Sequence, residues 1–506
     1  MSATAPREPR ASDYALASIP VFAVALALYV RTLLPDVGLW DTAEFQTIGS
    51  VLGIAHPTGY PTYTLLAWLA SVLLAPFGNE AYRADLLSAL LMAGAAALLA
   101  VRVVQASHRW AVGLLSGVAF ATGPVAWHWA QRADPHALHV FLAALLLVLL
   151  GAWAARRERG PRGDAWLLAA AVAYGLSLGN HALTLLLAPG IGAYVLMVEP
   201  RILWRRWRLV LASAAALAAS AALVYLYLPL RSAMDPPLDY ADPESWGAFW
   251  YVVLGEQFQG SFGPLPPALE VLSGIGDELA RNLGLLMVLA VGGIVAGLVR
   301  HPRLTVMTLL WFGCTWLFAI GYPNANIERY YLVPLLVSAL WVGLAVDAAW
   351  DMLREVMGPS RRLRLTRLAA WTMGVVVLLM AVVPVLGRYT DLDASHDTRG
   401  RAVLEATFDA LPADAVVLSW WSYSTNLWYG RWVEGRRPDI TILDDRDILD
   451  DGFGRVEAAI DHYLGERPVY LIRLERDLAA LEARYELERV PDMPLDLRRV
   501  VARKAE

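Results

Sequence analysis

PDVGLWDTAEFQTIGSVLGIAHPTGYP, residues 35–61, sets two acids, a histidine and a run of turn formers directly after the first hydrophobic segment of the chain. Two readings of it compete. In one, Asp41 is a helix N-cap with Glu44 three residues later, as in a capping box, and Trp40 and Phe45 flank it as a hydrophobic staple. Phe45, Ile48 and Leu52 then share a helical face, and Gly53 with Pro57 ends the helix. That account requires no chemistry. In the other, the two carboxylates sit one turn apart on one helix face as an acid pair at a membrane surface, and His56 and Tyr60 return from the following turn. The two are compatible, because capping engages only one carboxylate oxygen.

The membrane enters through composition. The chain has 506 residues, 57% of them hydrophobic, and a mean hydropathy of +0.46. Its apolar runs reach the roughly 20 residues that a helix needs to cross a bilayer, so this is a polytopic α-helical membrane protein. The formal charge is −5 and the only lysine is Lys504. Any phosphate must therefore be met by arginine, histidine or backbone N–H groups, and no nucleic-acid partner is expected. Cys314 is the only cysteine, which excludes internal disulfides and a cysteine-based metal site. There is no Asn-x-Ser/Thr sequon. The first apolar run is followed by Arg31 and the acidic stretch rather than by a small-residue cleavage site, so it reads as an anchor.

The first span, residues 14–34, is preceded by Arg7 and Arg10, which places the N terminus in the cytoplasm and the acidic stretch outside. Residues 61–77 decide the rest of the topology. If they lay across the membrane, the arginines at 156, 157, 159 and 162, at 201, 205, 206 and 208, and at 361, 362, 364 and 367 would face outward; if they lie along the interface, all become cytoplasmic. The interfacial reading is adopted. Spans then follow at 84–105, 110–128, 137–155, 165–180, 182–199, 209–229, 281–299, 304–321, 331–350 and 368–387, eleven in all with the first. This gathers the polar loops on one external face: Asp41, Glu44 and His56; Gln131, Arg132, Asp134 and His136; Asn180 and His181; Arg231 to Asp277; and Asn324 to Tyr330. Ionisable groups at membrane depth are usually functional.

From Arg388 onward charge runs throughout. Ala415 to Leu418, Ile440 to Leu443 and Val469 to Ile472 read as buried strands, with helical patterns at Asn426 to Val433 and Val456 to Leu464. Residues 1–387 are thus expected to form the membrane part, with 35–80 as its first external loop, and 388–506 a small extracytoplasmic α/β domain.

DTAEF followed by LGIAHPTGYP resembles the signature of the DUF2723 family of membrane glycosyltransferases, relatives of the protein O-mannosyltransferases. The family pattern reads GD-S/T-x-EF and then LG-x-x-HPPGYPLY; here Trp40 replaces the glycine, and Thr58 and Thr62 replace a proline and a leucine. GLSLGNHALTLLLAPG (175–190) and WSYSTNLWYGRWVEGRRPDI (421–440) are similar to further family segments. An external loop that in the family reads AEVYALH is ADPHALH here (133–139), with His136 in the aromatic position. The resemblance implies that these about eleven spans belong to a GT-C-like multi-helix membrane enzyme with juxtamembrane helices. It would take a sugar, mannose being one candidate, from a polyprenyl-phosphate donor to a protein or glycan acceptor on the outer face of the plasma membrane.

On that reading Asp41 is the general base for an inverting transfer, while Glu44 orients the acceptor, acts on Asp41 as a like charge, or binds a divalent cation; no cofactor is otherwise implied. His56 is a partner of those carboxylates or fixes its loop, and Tyr60 joins it on the substrate side. The departing lipid phosphate needs a cation. Arg329 is the first candidate, followed by Arg231 and Arg132, against ordinary snorkelling. Asp134 and His136 either join the site or cap a helix at Pro135, and His181 binds substrate or is structural. Trp246, Trp250 and Tyr251 line a cleft or form an aromatic belt. The rival class is a transporter or flippase of a lipid-linked or anionic substrate, which would place ionisable residues in mid-span and show a repeat. A non-catalytic assembly partner is the third reading.

Overall fold

The computed structural model describes residues 9–322, 324, 326–357 and 363–504; Arg7, Arg361 and Arg362 of the arginine clusters lie outside them. Each apolar run becomes a helix because bilayer-length segments must satisfy their backbone groups internally. In chain order these are α1 (Ala11–Arg31), α2 (Asp41–Val51), α3 (Pro61–Leu73), α4 (Glu80–Ser107), α5 (Trp110–Ala121), α6 (Pro124–Ala130), α7 (Pro135–Arg156), α8 (Pro161–Leu178), α9 (Ala188–Val198), α10 (Trp207–Tyr225), α11 (Ala268–Leu283), α12 (Leu286–Arg300), α13 (Pro302–Gly321), α14 (Leu332–Met357) and α15 (Leu363–Leu392).

Among the described residues seven helices are long and apolar enough to span a bilayer, or nine if α5 with α6 and α11 with α12 each count as one bent span. The expectation of eleven is therefore not met by length and composition. The shortfall is α8, and the short turn with α9, on either side of His181. The expected 110–128 span breaks by 70° where Gly123 and Pro124 start a new helix, and the expected 281–299 span turns by 112° at Gly284, whose φ of +55° suits glycine. α11, on the near side of that turn, is an amphipathic helix.

Contacts set the direction of each pass. α3 follows Tyr60, and Arg83 near the start of α4 bonds the Ser71 carbonyl in its last turn and the Phe77 and Gly78 carbonyls just beyond it. α3, about 20 Å long, leads back to the acidic stretch, since Asn79 at the start of α4 donates to Asp36 at 2.9 Å. α7 runs from Asp134 to Arg156 and α8 returns to His181, so the described arginines of the first two clusters lie at the end opposite the acidic stretch. That far end is tied by Arg109 and Arg300, both paired with Asp347 and Asp351.

The C-terminal part carries α16 (Arg399–Ala410), β1 (Val416–Ser419), α17 (Trp421–Trp428), β2 (Thr441–Leu443), α18 (Val456–Tyr463), β3 (Val469–Ile472), α19 (Glu475–Glu482), β4 (Tyr485–Arg489) and β5 (Leu497–Arg503). The sheet order is β2-β1-β3-β5-β4, parallel among the three expected strands and antiparallel at β5 and β4. The helix expected from Asn426 instead begins at Trp421 and ends in a wide π-type turn, Tyr429–Val433. β4 and β5 escaped the sequence reading because only Tyr485, Leu497 and Val500 in them are buried and the other residues are mostly charged.

This sheet unit shares a core with the membrane helices: Leu404, Phe408, Leu427 and Tyr429 belong to the same buried cluster as Phe45 and Ile48. Tyr429 accepts the Ala81 N–H at 3.1 Å, and Arg401 pairs with Asp36 at 2.7 Å and Glu434 at 2.5 Å. A Cβ on Gly400 would stand 2.1 Å from the Val37 carbonyl oxygen. Backbone cannot yield there as a side chain would. Gly400→Ala is expected to lower stability by about 1–3 kcal/mol, read as a depressed thermal midpoint in detergent with earlier proteolysis of the sheet unit.

Candidate active site

Trp40, not Asp41, is the N-cap of α2, and no side chain caps the helix. The capping-box account of the two acids is thereby overturned: each carboxylate has another partner. Asp41 Oδ2 lies 2.6 Å from Arg329 Nη1. Glu44 Oε1 accepts the His56 backbone N–H at 2.9 Å, and Oε2 lies 2.5 Å from His56 Nδ1. Both Glu44 oxygens thus meet His56.

The chain around α2 explains how this pairing forms. Gln46 accepts the Gly38 N–H at 2.8 Å and donates to Asp85 at 2.9 Å, which clamps the entering loop. The same Asp85 accepts the Ala133 N–H at 2.6 Å, so one buried carboxylate of α4 sets α2 beside the Asp134 segment. After α2, Leu52 adopts the left-handed conformation and Ile54 bonds Leu238 and Tyr240 of the long loop, which returns His56 over Glu44. Arg231 donates to the Leu52 and Val51 carbonyls at 2.7 and 3.2 Å. It closes the C-terminal end of α2.

Asp134 performs both roles proposed for it. Oδ1 accepts the His136 N–H at 2.7 Å as a helix cap and lies 2.8 Å from His136 Nδ1, while Oδ2 is 3.1 Å from Arg329 Nη1. One guanidinium nitrogen thus serves two carboxylates, and the guanidinium stands over the Trp129 and Tyr330 rings at 5.5 and 5.9 Å. Arg329 Nε and His136 Nε2 are buried without a hydrogen-bond partner among the described residues. The His181 ring lies 4.6 Å from that of His136 and 5.5 Å from that of Tyr60, whose hydroxyl is 3.3 Å from His56 Nε2. Asn180 donates to the Pro135 carbonyl at 3.0 Å, tying that loop to α7.

The structure therefore brings Asp41, Glu44, His56, Tyr60, Asp134, His136, His181 and Arg329 into one cluster. It leaves out Arg231 and also Arg132, whose first charged neighbours are Asp85 and Asp397. The aromatic helix Trp246–Val253 does not enter the cluster either: Tyr251, with Tyr240, lies under Arg446 of the sheet unit at 5.3 and 5.8 Å, while Trp246 is exposed. Sequence reasoning missed Asp85, Trp129, Tyr330, Phe258 and Trp421; the last two place their rings 6.4 and 5.1 Å from His56. Among the described residues no group of three His, Cys, Asp or Glu side chains is arranged to hold a metal ion.

Burial would push the Asp134 carboxyl up, but His136 and Arg329 outweigh it and hold it at about 2. Burial opposes protonation of His56, yet Glu44 beneath the ring prevails and its pKa lies above the ordinary histidine value. Burial keeps His181 well below that value, further lowered by His136 and His139. At neutral pH Asp134 is a carboxylate and His181 is neutral.

A fold of this class has solved examples. The chain has the GT-C fold: it superposes on ArnT from Cupriavidus metallidurans bound to undecaprenyl phosphate with a TM-score of 0.58 over 97% of this chain and 98% of that one, at 13% identity. It likewise superposes on the archaeal oligosaccharyltransferase AglB from Archaeoglobus fulgidus, in complex with an inhibitory peptide and a dolichol-phosphate, with a TM-score of 0.54 over 96% and 76% of the two chains at 15% identity. In sequence, residues 41–203 match the model of the protein O-mannosyl-transferase TMEM260 N-terminal domain. The chain is 28% identical over 465 residues to the protein O-mannosyl-transferase TMEM260 of Mus musculus, covering 84% of this chain and 62% of that one. A Dictyostelium discoideum relative of the same name is 25% identical over 27% of this chain and 17% of its own length. The chain thus spans about three fifths of the mouse relative.

Because the His56 pKa is raised on folding, the Glu44 pair contributes stability that is full below about 6.5 and is lost as pH rises through the folded value. Thermal midpoints measured against pH are expected to fall across that alkaline interval in the wild type, and Glu44→Gln is expected to flatten the fall.

Proposed function

We propose that the chain is a membrane glycosyltransferase that moves mannose from a polyprenyl-phosphate donor to a protein hydroxyl. The observation that carries it is the Asp41–Arg329 contact at 2.6 Å, which places a base and a fixed cation together at the mouth of a buried polar cluster. The likeness to proteins named protein O-mannosyl-transferase supports the sugar and the acceptor. The undecaprenyl phosphate and dolichol-phosphate in the ArnT and AglB structures support the donor.

Asp41 is assigned as the base because it is the accessible acid: its side chain is 19% exposed, against 3% for Glu44 and 0% for Asp134. It takes the proton of the acceptor hydroxyl as that oxygen forms a bond to the anomeric carbon. The bond from that carbon to the phosphate oxygen breaks with inversion, and polyprenyl phosphate departs with the electron pair. Arg329 meets the developing charge with the edge that Asp41 and Asp134 leave free, its Nε having no partner among the described residues. Glu44 and His56 hold α2 and the Tyr60 turn in register behind Asp41. The site is assigned to the extracytoplasmic face of the plasma membrane, with the N terminus in the cytoplasm, because the described arginine clusters lie at the other end.

Membranes of a strain lacking the native gene, complemented with matched amounts of each variant and supplied with a panel of labelled polyprenyl-phosphate sugars, test this. Wild type is expected to label protein from the mannose donor, and Asp41→Asn to reduce the rate by about 10²- to 10⁴-fold. Retained activity in both Asp41→Asn and Glu44→Gln sinks the mechanism, and absence of transfer by wild type from every donor favours the transporter. Arg329→Lys keeps the charge but loses the planar fork; it is expected to retain a measurable fraction of the rate, whereas Arg329→Met is expected to lose it.

A further inference from the structure

His56 stands in a box of rings drawn from separate parts of the chain. Phe45 of α2 lies 5.6 Å away, Tyr60 5.3 Å, Phe258 of the long loop 6.4 Å and Trp421 of the sheet unit 5.1 Å, the last edge-on at 76°. Glu44 closes the box with its carboxylate on Nδ1. Trp421 is the nearest of these walls and stands at the first position of α17, a helix packed on α2 itself. Its placement is fixed from behind: Asn426 donates to the Gly400 carbonyl at 3.3 Å, and Gly400 abuts the Val37 carbonyl just before α2.

We propose that Trp421 is a positioning residue of the reaction centre: its ring holds the His56 imidazole on Glu44, and through it the sheet unit completes the wall behind Asp41. The T-shaped arrangement of indole and imidazole is a favoured aromatic contact, and the packing denies the imidazole the rotation that would break its contact with Glu44. The ring is what acts, since the indole Nε1 is buried with no hydrogen-bond partner among the described residues. Phenylalanine should therefore replace it where alanine cannot. The charged and titratable groups facing His56 are Glu44 and Asp41 of α2, Arg329, Tyr60 and His181; the sheet unit contributes a ring and no charge to that set.

The test uses the full chain in detergent and has two arms, of which only the kinetic one rests on the proposed activity. In the first, thermal midpoints are followed against pH for wild type, Trp421→Ala, Trp421→Phe and Arg401→Ala, the last loosening the sheet unit without touching the box. Trp421→Ala is expected to flatten the alkaline fall that marks the His56–Glu44 pair, while Trp421→Phe and Arg401→Ala keep it. A wild-type pH dependence in Trp421→Ala overturns the proposal whether or not any sugar is transferred, and so does equal flattening in Arg401→Ala. In the second arm, Trp421→Ala is expected to lower kcat about 10- to 100-fold with the donor KM unchanged, the scale of an ångström-level misplacement, and Trp421→Phe to restore it. A raised KM at unchanged kcat would make Trp421 a substrate contact instead.

Discussion

Arg329 is the charge on which the site depends. Asp41 and Asp134 come from segments far apart in the chain, and each would resist burial beside the other. A single guanidinium nitrogen at 2.6 and 3.1 Å makes them compatible. Removing one partner from a buried ionic group typically destabilises by about 3–5 kcal/mol, because the remaining charges lose their compensation. Arginine suits the post: it stays protonated, its fork reaches two acids, and its flat face rests against Trp129 and Tyr330. On the proposed function, the same charge that assembles the cluster also meets the departing phosphate.

Around this centre the protein fixes orientation with small polar devices rather than with bulk packing alone. Asp85 aligns α2 with the Asp134 loop through Gln46 and Ala133. Arg231 closes the far end of α2, and Asn180 ties His181 to α7. His56 carries its proton more readily than an ordinary histidine while His181 carries it less. Two imidazoles of one cluster are thus shifted in opposite directions, His56 upward by the Glu44 carboxylate on its Nδ1 and His181 downward by burial.

Much of the site was legible because its residues are costly to place in an apolar chain. Asp41, Glu44, His56, Asp134, His136, His181 and Arg329 all stand out against hydrophobic surroundings, and charge asymmetry in the loops assigned them to one face. What could not be read were relations that depend on three-dimensional return. Arg231 and Arg132 carry the same signal as Arg329, and only the fold shows that one caps a helix and the other faces Asp85. Asp41 fits a capping pattern that the backbone at Trp40 does not realise. In the sheet unit, β1 to β3 announce themselves as continuous apolar runs, whereas β4 and β5 hide half their residues in solvent. Trp421 is one tryptophan among 20, with no local mark of its place beside His56.

The seam between the sheet unit and α2 also bears on biosynthesis. Asp36 meets Arg401 across 365 positions and Ala81 meets Tyr429 across 348, so the helix that carries the acids is walled by a segment that follows it by more than 300 positions. Pairings of such separation form late, and domains emerge from the ribosome in order. A nascent or truncated chain therefore inserts its helices into the membrane with the acids in place but the wall behind them open. The wall closes only when the segment from Arg401 to Tyr429 has joined the helices that precede it.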